Sequence, residues 1–289
     1  MSSTTPRATL GVIGGSGLYD LADLQDVERV RLDTPFGDPS DEFVVGRLGD
    51  TRIAFLPRHA RGHRLLPSEL NFRANVHGMK QLGVSFLLAV GAVGSLREEI
   101  VPGHVVVPDQ FIDRTFDRHA TFFGDGVVAH VQFGDPVCKG LAKAVTAAAR
   151  DAGATVHEGG TYVCMEGPQF STRAESHLYR SWNASIIGMT NLQEAKLARE
   201  AELCFATLAL STDYDCWHES EAEVDVAAIV ALLHANAALA ARAVATLAGS
   251  LPQGDCACRH ALESAIITDR GAIPAATRER LQLIAGKYL

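Results

Sequence analysis

Two short stretches of this sequence carry groups that could do chemistry. Arg58-His59, followed by Arg61, His63 and Arg64, sets a planar guanidinium fork beside an imidazole that could donate a further hydrogen bond, a pairing suited to phosphate. Thr212-Asp213-Tyr214-Asp215-Cys216-Trp217-His218 sets two carboxylates at i and i+2 among aromatic rings. Such a pair can accept hydrogen bonds from an amino-bearing heterocycle or shuttle a proton, and a tryptophan beside it favours a site. The bland alternatives are a solvated basic loop and a solvated turn. His59 and His63 are four apart, but Ala60-Arg61-Gly62 between them supplies no carboxylate and adds a cation, which excludes the H-E-x-x-H type of zinc site.

Two glycine-rich stretches could bring main-chain amides up to the same anion. Gly14-Gly15-Ser16-Gly17 adds the Ser16 hydroxyl, and Gly91-Ala92-Val93-Gly94-Ser95 reads as a second small-residue loop. The first does not match the dinucleotide spacing and lacks the Walker lysine, so a shared phosphate explains the loops better than a nucleotide fold motif does. In Met165–Ser171 and Gly188-Met189-Thr190, Phe170 could stack on a flat ring and Met189 could lie against a sugar. Glu194 is close enough in sequence to be considered for hydroxyl contacts. Cys256-Ala257-Cys258-Arg259-His260 lacks a second ligand cluster at finger spacing, so a structural or redox role is expected there and no metal.

These groups need a frame. Strands are expected over 8–13, 52–56, 85–90, 184–187 and 204–210, each running into a polar or glycine-rich loop. Helices are expected from a Ser68 cap to Gly83, from Asp135-Pro136 to Gly153 with Val137, Leu141, Val145 and Ala148 on one face, and from an Asp225 cap to Gly249. The alternation argues for an α/β sheet covered on both sides, and a hairpin at Gly49-Asp50 makes it mixed. Ligands then bind outside the carboxyl ends of the strands. Residues 251–260 read as a loop and 274–289 as a terminal amphipathic helix.

Composition narrows the classes. With 289 residues and no linker or repeat, one domain over 1–289 is expected, with 249–289 as a C-terminal extension. Lys+Arg 26 against Asp+Glu 34 leaves −8, which argues against nucleic-acid or anionic-membrane partners. The apolar run 227–248 is interrupted by His234, Asn236 and Arg242 and reads as a core helix, not a membrane span. The first ten residues hold no secretory pattern, and the cysteines fit thiols in a cytoplasmic location.

The chain resembles the S-methyl-5′-thioadenosine phosphorylases of the trimeric purine nucleoside phosphorylase family nearly end to end. The stretches that carry the resemblance are 11–17, Asp33-Thr34-Pro35-Phe36-Gly37, 58–67, Gly94-Ser95-Leu96-Arg97-Glu98-Glu99, 109–115, 166–176 and 212–217. The resemblance implies an α/β single domain with a central mixed, partly barrel-like β-sheet flanked by helices. It implies phosphate contacts at Ser16, Arg58, His59, Gly91, Ala92 and Thr190, and purine and ribose contacts at Phe170, Met189, Asp213 and Asp215. It further implies an apolar methylthio pocket near Val226, Ile229 and Val230, completed across a subunit interface by His130, and so a homotrimer or a hexamer. Gly91 stands where threonine is frequent in the family and can offer only backbone.

The expected reaction is phosphorolysis of S-methyl-5′-thioadenosine to adenine and 5-methylthioribose 1-phosphate, with inorganic phosphate as co-substrate and no cofactor. Asp213 is the expected catalytic residue, protonating or sharing a proton with purine N7, while Asp215 accepts from the exocyclic amine. The competing readings are a nucleosidase, a phosphorylase preferring 6-oxopurine or 5′-hydroxyl nucleosides, and a nucleotide-sensing protein without chemistry.

Overall fold

The computed structural model describes residues 7–15, 24–218 and 226–289. Among these, eleven strands form one mixed sheet: β1 (Leu10–Gly14), β2 (Gln25–Val30), β3 (Phe43–Leu48), β4 (Thr51–Pro57), β5 (Phe86–Ser95), β6 (Val105–Val107), β7 (Gln110–Arg114), β8 (Val156–Glu158), β9 (Thr161–Met165), β10 (Ile186–Gly188) and β11 (Cys204–Asp213). The described helices are α1 (Phe72–Gln81), α2 (Lys139–Asp151), α3 (Arg173–Ser181), α4 (Leu192–Glu200), α5 (Val226–Ala248), α6 (Ala275–Arg280) and α7 (Gln282–Ala285).

β1 is buried along its whole length, as a parallel strand covered on both faces must be. Side-chain alternation sends Ile13 to one face, where Met79 of α1, Leu197 of α4 and Ile284 of α7 meet it in one core. Leu10 and Val12 point the other way, into a core shared with Leu141 and Val145 of α2 and Val244 and Leu247 of α5. Each such buried aliphatic side chain contributes about 1.5–3 kcal/mol. The C-terminal residues Leu281, Ile284 and Ala285 belong to the first core, so the tail packs on its own chain.

β4, β1, β5 and β11 run parallel, and their carboxyl ends lie at one end of the sheet. The Gly49-Asp50 hairpin joins β3 to β4 as expected, with Leu48 opposite Thr51. β5 is the hub: β11 flanks one edge, while on the other edge β1 pairs up to Val90 and antiparallel β10 takes over at Gly94. Residues 91–95 are therefore strand and not the loop expected from their small side chains. The ladder to β11 continues through Ala92 and Val93 and outweighs their local composition.

Two caps also differ from expectation. α1 starts at Asn71, whose side chain accepts from the Ala74 amide, while Ser68 lies in a short 3₁₀ turn and donates to Glu166. α2 is capped at Cys138, and its stripe Val137, Leu141, Val145 and Ala148 is buried as expected. Residues 274–289 form two short helices instead of one. Asp225 and Ser16 lie outside the described residues.

Candidate active site

A cavity of about 380 Å³ opens at the carboxyl ends of the parallel strands. Arg58, His59, Gly91, Ala92, Thr190, Phe170, Met189, Asp213 and Asp215 all line it, so the sequence-expected groups converge although they span 158 positions of chain. Gly15 lines it as well, next to the undescribed Ser16. α5 begins at Val226, but the side chains of Val226, Ile229 and Val230 lie outside the described set. His130 is exposed and is not part of this cavity in its own chain. A larger cavity of about 800 Å³ lies at the other end of the sheet, with Asp50 and Arg259 as the charged side chains among the described residues that line it.

One pole suits an anion. Arg58, which follows β4, is fully buried and donates from Nε and Nη2 to both oxygens of Glu194, at 2.5 and 3.0 Å. Its Nη1 reaches the Val90 carbonyl and its Nη2 the Ile13 carbonyl, which ties the guanidinium to β5 and β1. Glu194 is thus the partner that aims Arg58, which corrects its reading as a hydroxyl contact. Thr190 lines the cavity just before Asn191, the N-cap residue of α4, and a helix N-terminus favours anions. Between the last β1 pair at Val90 and the first β10 pair at Gly94, the main chain of 91–93 has no strand alongside it on that edge.

His59 differs from expectation in its hydrogen-bonding sense. Its Nδ1 lies 2.8 Å from the Leu65 carbonyl, so this nitrogen must carry the proton. Burial holds the ring neutral, with its pKa pushed down to about 4, and neighbouring Arg58 adds to the effect. Nε2 is left as an acceptor, suited to a protonated phosphate oxygen or a sugar hydroxyl. His63 stacks on this ring at 4.4 Å between centroids.

The opposite pole is acidic. Asp213 Oδ1 accepts the Asp215 amide at 2.7 Å and Oδ2 the Thr212 hydroxyl at 2.7 Å. Burial pushes the carboxyl pKa of both aspartates up, and for Asp215 the charge of Asp213 pushes the same way. Asp215 has φ +52°, in the left-handed region, and its Oδ2 is buried without a hydrogen-bond partner. A bulge at Thr212, two residues of β11 against one step of β5, re-aims Asp213 towards the cavity. A Cβ at Gly94 would sit 3.0 Å from Asp213 Oδ1, a tight contact that would push on that carboxyl.

Trp217, expected at the site, instead packs beside it. Its indole donates to the Ser95 carbonyl at 2.8 Å, and Arg180 lies over its ring. Arg118, a single arginine in an irregular loop, gave no sequence signal. Its side chain is buried, pairs with Glu166 at 3.1 Å, and donates to the Met189 carbonyl and Gln193, joining the two loops that carry Phe170 and Met189. Gly167, at φ +70°, makes room for Met189, because a Cβ there would fall 2.5 Å from the methionine sulfur. Phe170 stays 47% exposed at the rim, as a stacking platform must before its ligand arrives.

The chain as a whole is similar to proteins already known. A family model described as Phosphorylase superfamily matches residues 9–249. An S-methyl-5′-thioadenosine phosphorylase from Geobacter sulfurreducens is 61% identical over 97% of this chain and 99% of its own. A methylthioadenosine phosphorylase crystal structure sourced from an antarctic soil metagenomic library is 46% identical with a TM-score of 0.89, covering 96% of this chain and 99% of that one. The Schistosoma mansoni methylthioadenosine phosphorylase, solved in complex with adenine, is 34% identical with a TM-score of 0.85, covering 92% and 100%.

Proposed function

The chain belongs to the phosphorylase superfamily, and on that premise we propose that it cleaves S-methyl-5′-thioadenosine with inorganic phosphate, giving adenine and 5-methylthioribose 1-phosphate. The observation that carries the reading is one cavity with an anion-binding pole at Arg58, His59 and Thr190 and a carboxylate pole at Asp213 and Asp215.

Phosphate is held beside C1′ by Arg58, Thr190, the main chain of Gly91 and Ala92, and Ser16, so that a bimolecular encounter becomes an oriented attack. A phosphate oxygen bonds to C1′ as the C1′–N9 bond breaks and its electron pair leaves with the base. The bound anion stabilises the cationic sugar that develops between them. Asp213, whose carboxyl pKa burial raises, gives a proton to N7 of the leaving base. The unpartnered Oδ2 of Asp215 accepts from the exocyclic amine, and a 6-oxo group there would meet a lone pair instead of a donor. Phe170 and Met189 cover the base and the sugar.

Val226, Ile229 and Val230 line the methylthio end, completed by His130 of another subunit in a homotrimer. The exposure of His130 outside its own cavity is compatible with that role. No helix among the described residues is long and apolar enough to cross a membrane. A cytoplasmic location suits six cysteines free of disulfides.

The test is adenine release from S-methyl-5′-thioadenosine with and without phosphate. Release that depends on phosphate and yields a sugar 1-phosphate supports the reading. Release by water alone, or tight binding without product, overturns it.

A further inference from the structure

Far from the cavity, four cysteines from three separate parts of the chain converge. Cys138 is the N-cap residue of α2, Cys204 opens β11, Cys256 is the N-cap residue of a short 3₁₀ turn after α5, and Cys258 lies within that turn. Their sulfur atoms all lie within 4.8 Å of one another, and those of Cys138 and Cys256 are 3.7 Å apart. Three of the four side chains are buried and the fourth is half-buried.

We propose that Cys138, Cys204, Cys256 and Cys258 form a mononuclear tetrathiolate site for zinc. A tetrahedral zinc with Zn–S bonds of about 2.3 Å places its sulfurs about 3.8 Å apart, close to the Cys138–Cys256 separation. A multi-iron cluster would hold its cysteines farther apart, because its inorganic core stands between them. A disulfide needs about 2.05 Å, so none of these sulfurs is paired.

The sequence reading dismissed Cys256 and Cys258 for want of a second ligand pair nearby. The fold supplies that pair from a distance: the Cys138 amide donates to the Phe205 carbonyl at 2.8 Å, which ties the start of α2 to the start of β11. The surroundings suit thiolates. Cys138 occupies a helix N-cap, where unpaired amides and the helix dipole favour negative charge. Arg259, next to Cys258, carries a buried Nε without a partner and a cation to offset the charge of the site. On metal binding each thiol releases its proton to solvent, so affinity rises with pH.

The role is structural. Cys204 and Asp213 stand at opposite ends of β11, about 30 Å apart at strand spacing, so the metal takes no part in the reaction. It fastens the segment after α5 to the two elements that frame the second core.

The experiment is metal analysis of the full chain purified without chelator, followed by exchange with cobalt. Expected are one zinc per chain, four thiols protected from alkylation until a chelator is added, and the visible bands of a tetrahedral cobalt thiolate. The double variant C256S/C258S should lose both the zinc and the cobalt bands. Should that variant fail to fold, the metal content and cobalt spectrum of the unaltered chain decide. A metal-free chain that takes up neither ion, two disulfides in place of the four thiols, or cobalt bands unchanged in the variant would each overturn the proposal.

Discussion

Arg58 and Glu194, 136 residues apart in the chain, meet as a buried two-pronged ion pair at the anion-binding pole of the cavity. Removing one member of such a pair leaves the other charge buried and uncompensated. Glu194→Ala is therefore expected to cost about 3–5 kcal/mol, read from urea unfolding. The milder Glu194→Gln should raise KM for phosphate more than KM for the nucleoside, because it loosens the aim of Arg58 without touching the acidic pole. Equal rises in both would argue against a positioning role.

Asp213→Asn removes the proton destined for N7 and puts an amide NH₂ beside N7. Turnover of methylthioadenosine should fall by about 10²–10⁴, with a smaller relative loss for methylthioinosine, whose 6-oxo group is next to N7 on the same purine edge and can accept from that amide. Steady-state kinetics on the two substrates checks this. Identical losses on both would sink the assignment.

The pH dependence of turnover follows from the same carboxyl. Asp213 has its pKa raised by burial and acts in the protonated form, so kcat should decline as pH rises through that pKa, and the decline should vanish in Asp213→Asn. His59, held at about 4, stays neutral across the working range and adds no inflection there. A kcat limb that persists in the Asn variant would mean that another group titrates.

Stability should respond to pH through Glu200. Burial pushes its pKa from 4.5 up to about 7, against hydrogen bonds from Phe122 and Thr121. A carboxyl raised on folding favours the native state below its unfolded pKa and loses that advantage as pH rises through the folded value. The loss is on the order of 3 kcal/mol. Thermal melts between about pH 5 and pH 8 should therefore show a smaller fall in Tm for Glu200→Gln than for the unaltered chain. A parallel fall in both would refute it.

Gly91 offers a gain-of-affinity test. Among the described residues a Cβ there would meet only Arg58 Nη1, at 3.6 Å, which is ordinary contact. Gly91→Ser should fold normally and add a hydroxyl donor at the phosphate pole, lowering KM for phosphate by about fivefold, in line with one hydrogen bond of about 1 kcal/mol. An unchanged or raised KM would place the anion elsewhere.

Much of this was legible in the sequence because types and neighbours announced it. The parallel strands were visible as apolar runs ending in special residues, and Arg58-His59 and Asp213/Asp215 each stood at such an end. Short or exposed strands such as β2 and β8 carried no such pattern, since their pairing depends on distant partners. The bulge at Thr212, the Arg58–Glu194 pair and the Arg118 clamp are long-range outcomes that no local spacing encodes. Trp217 was misread because proximity along the chain does not reveal which way a turn sends a ring. The four-cysteine cluster was missed for the same reason: its ligands are separated by most of the C-terminal half of the fold.

Because β5 exchanges β1 for β10 halfway along one edge while holding β11 along the other, a single ribbon of backbone ties the phosphate end of the cavity to the base end. Arg58 and Asp213 thus stand at two ends of one continuous piece of sheet, and Phe170, which lines the cavity between them, stands exposed at its mouth.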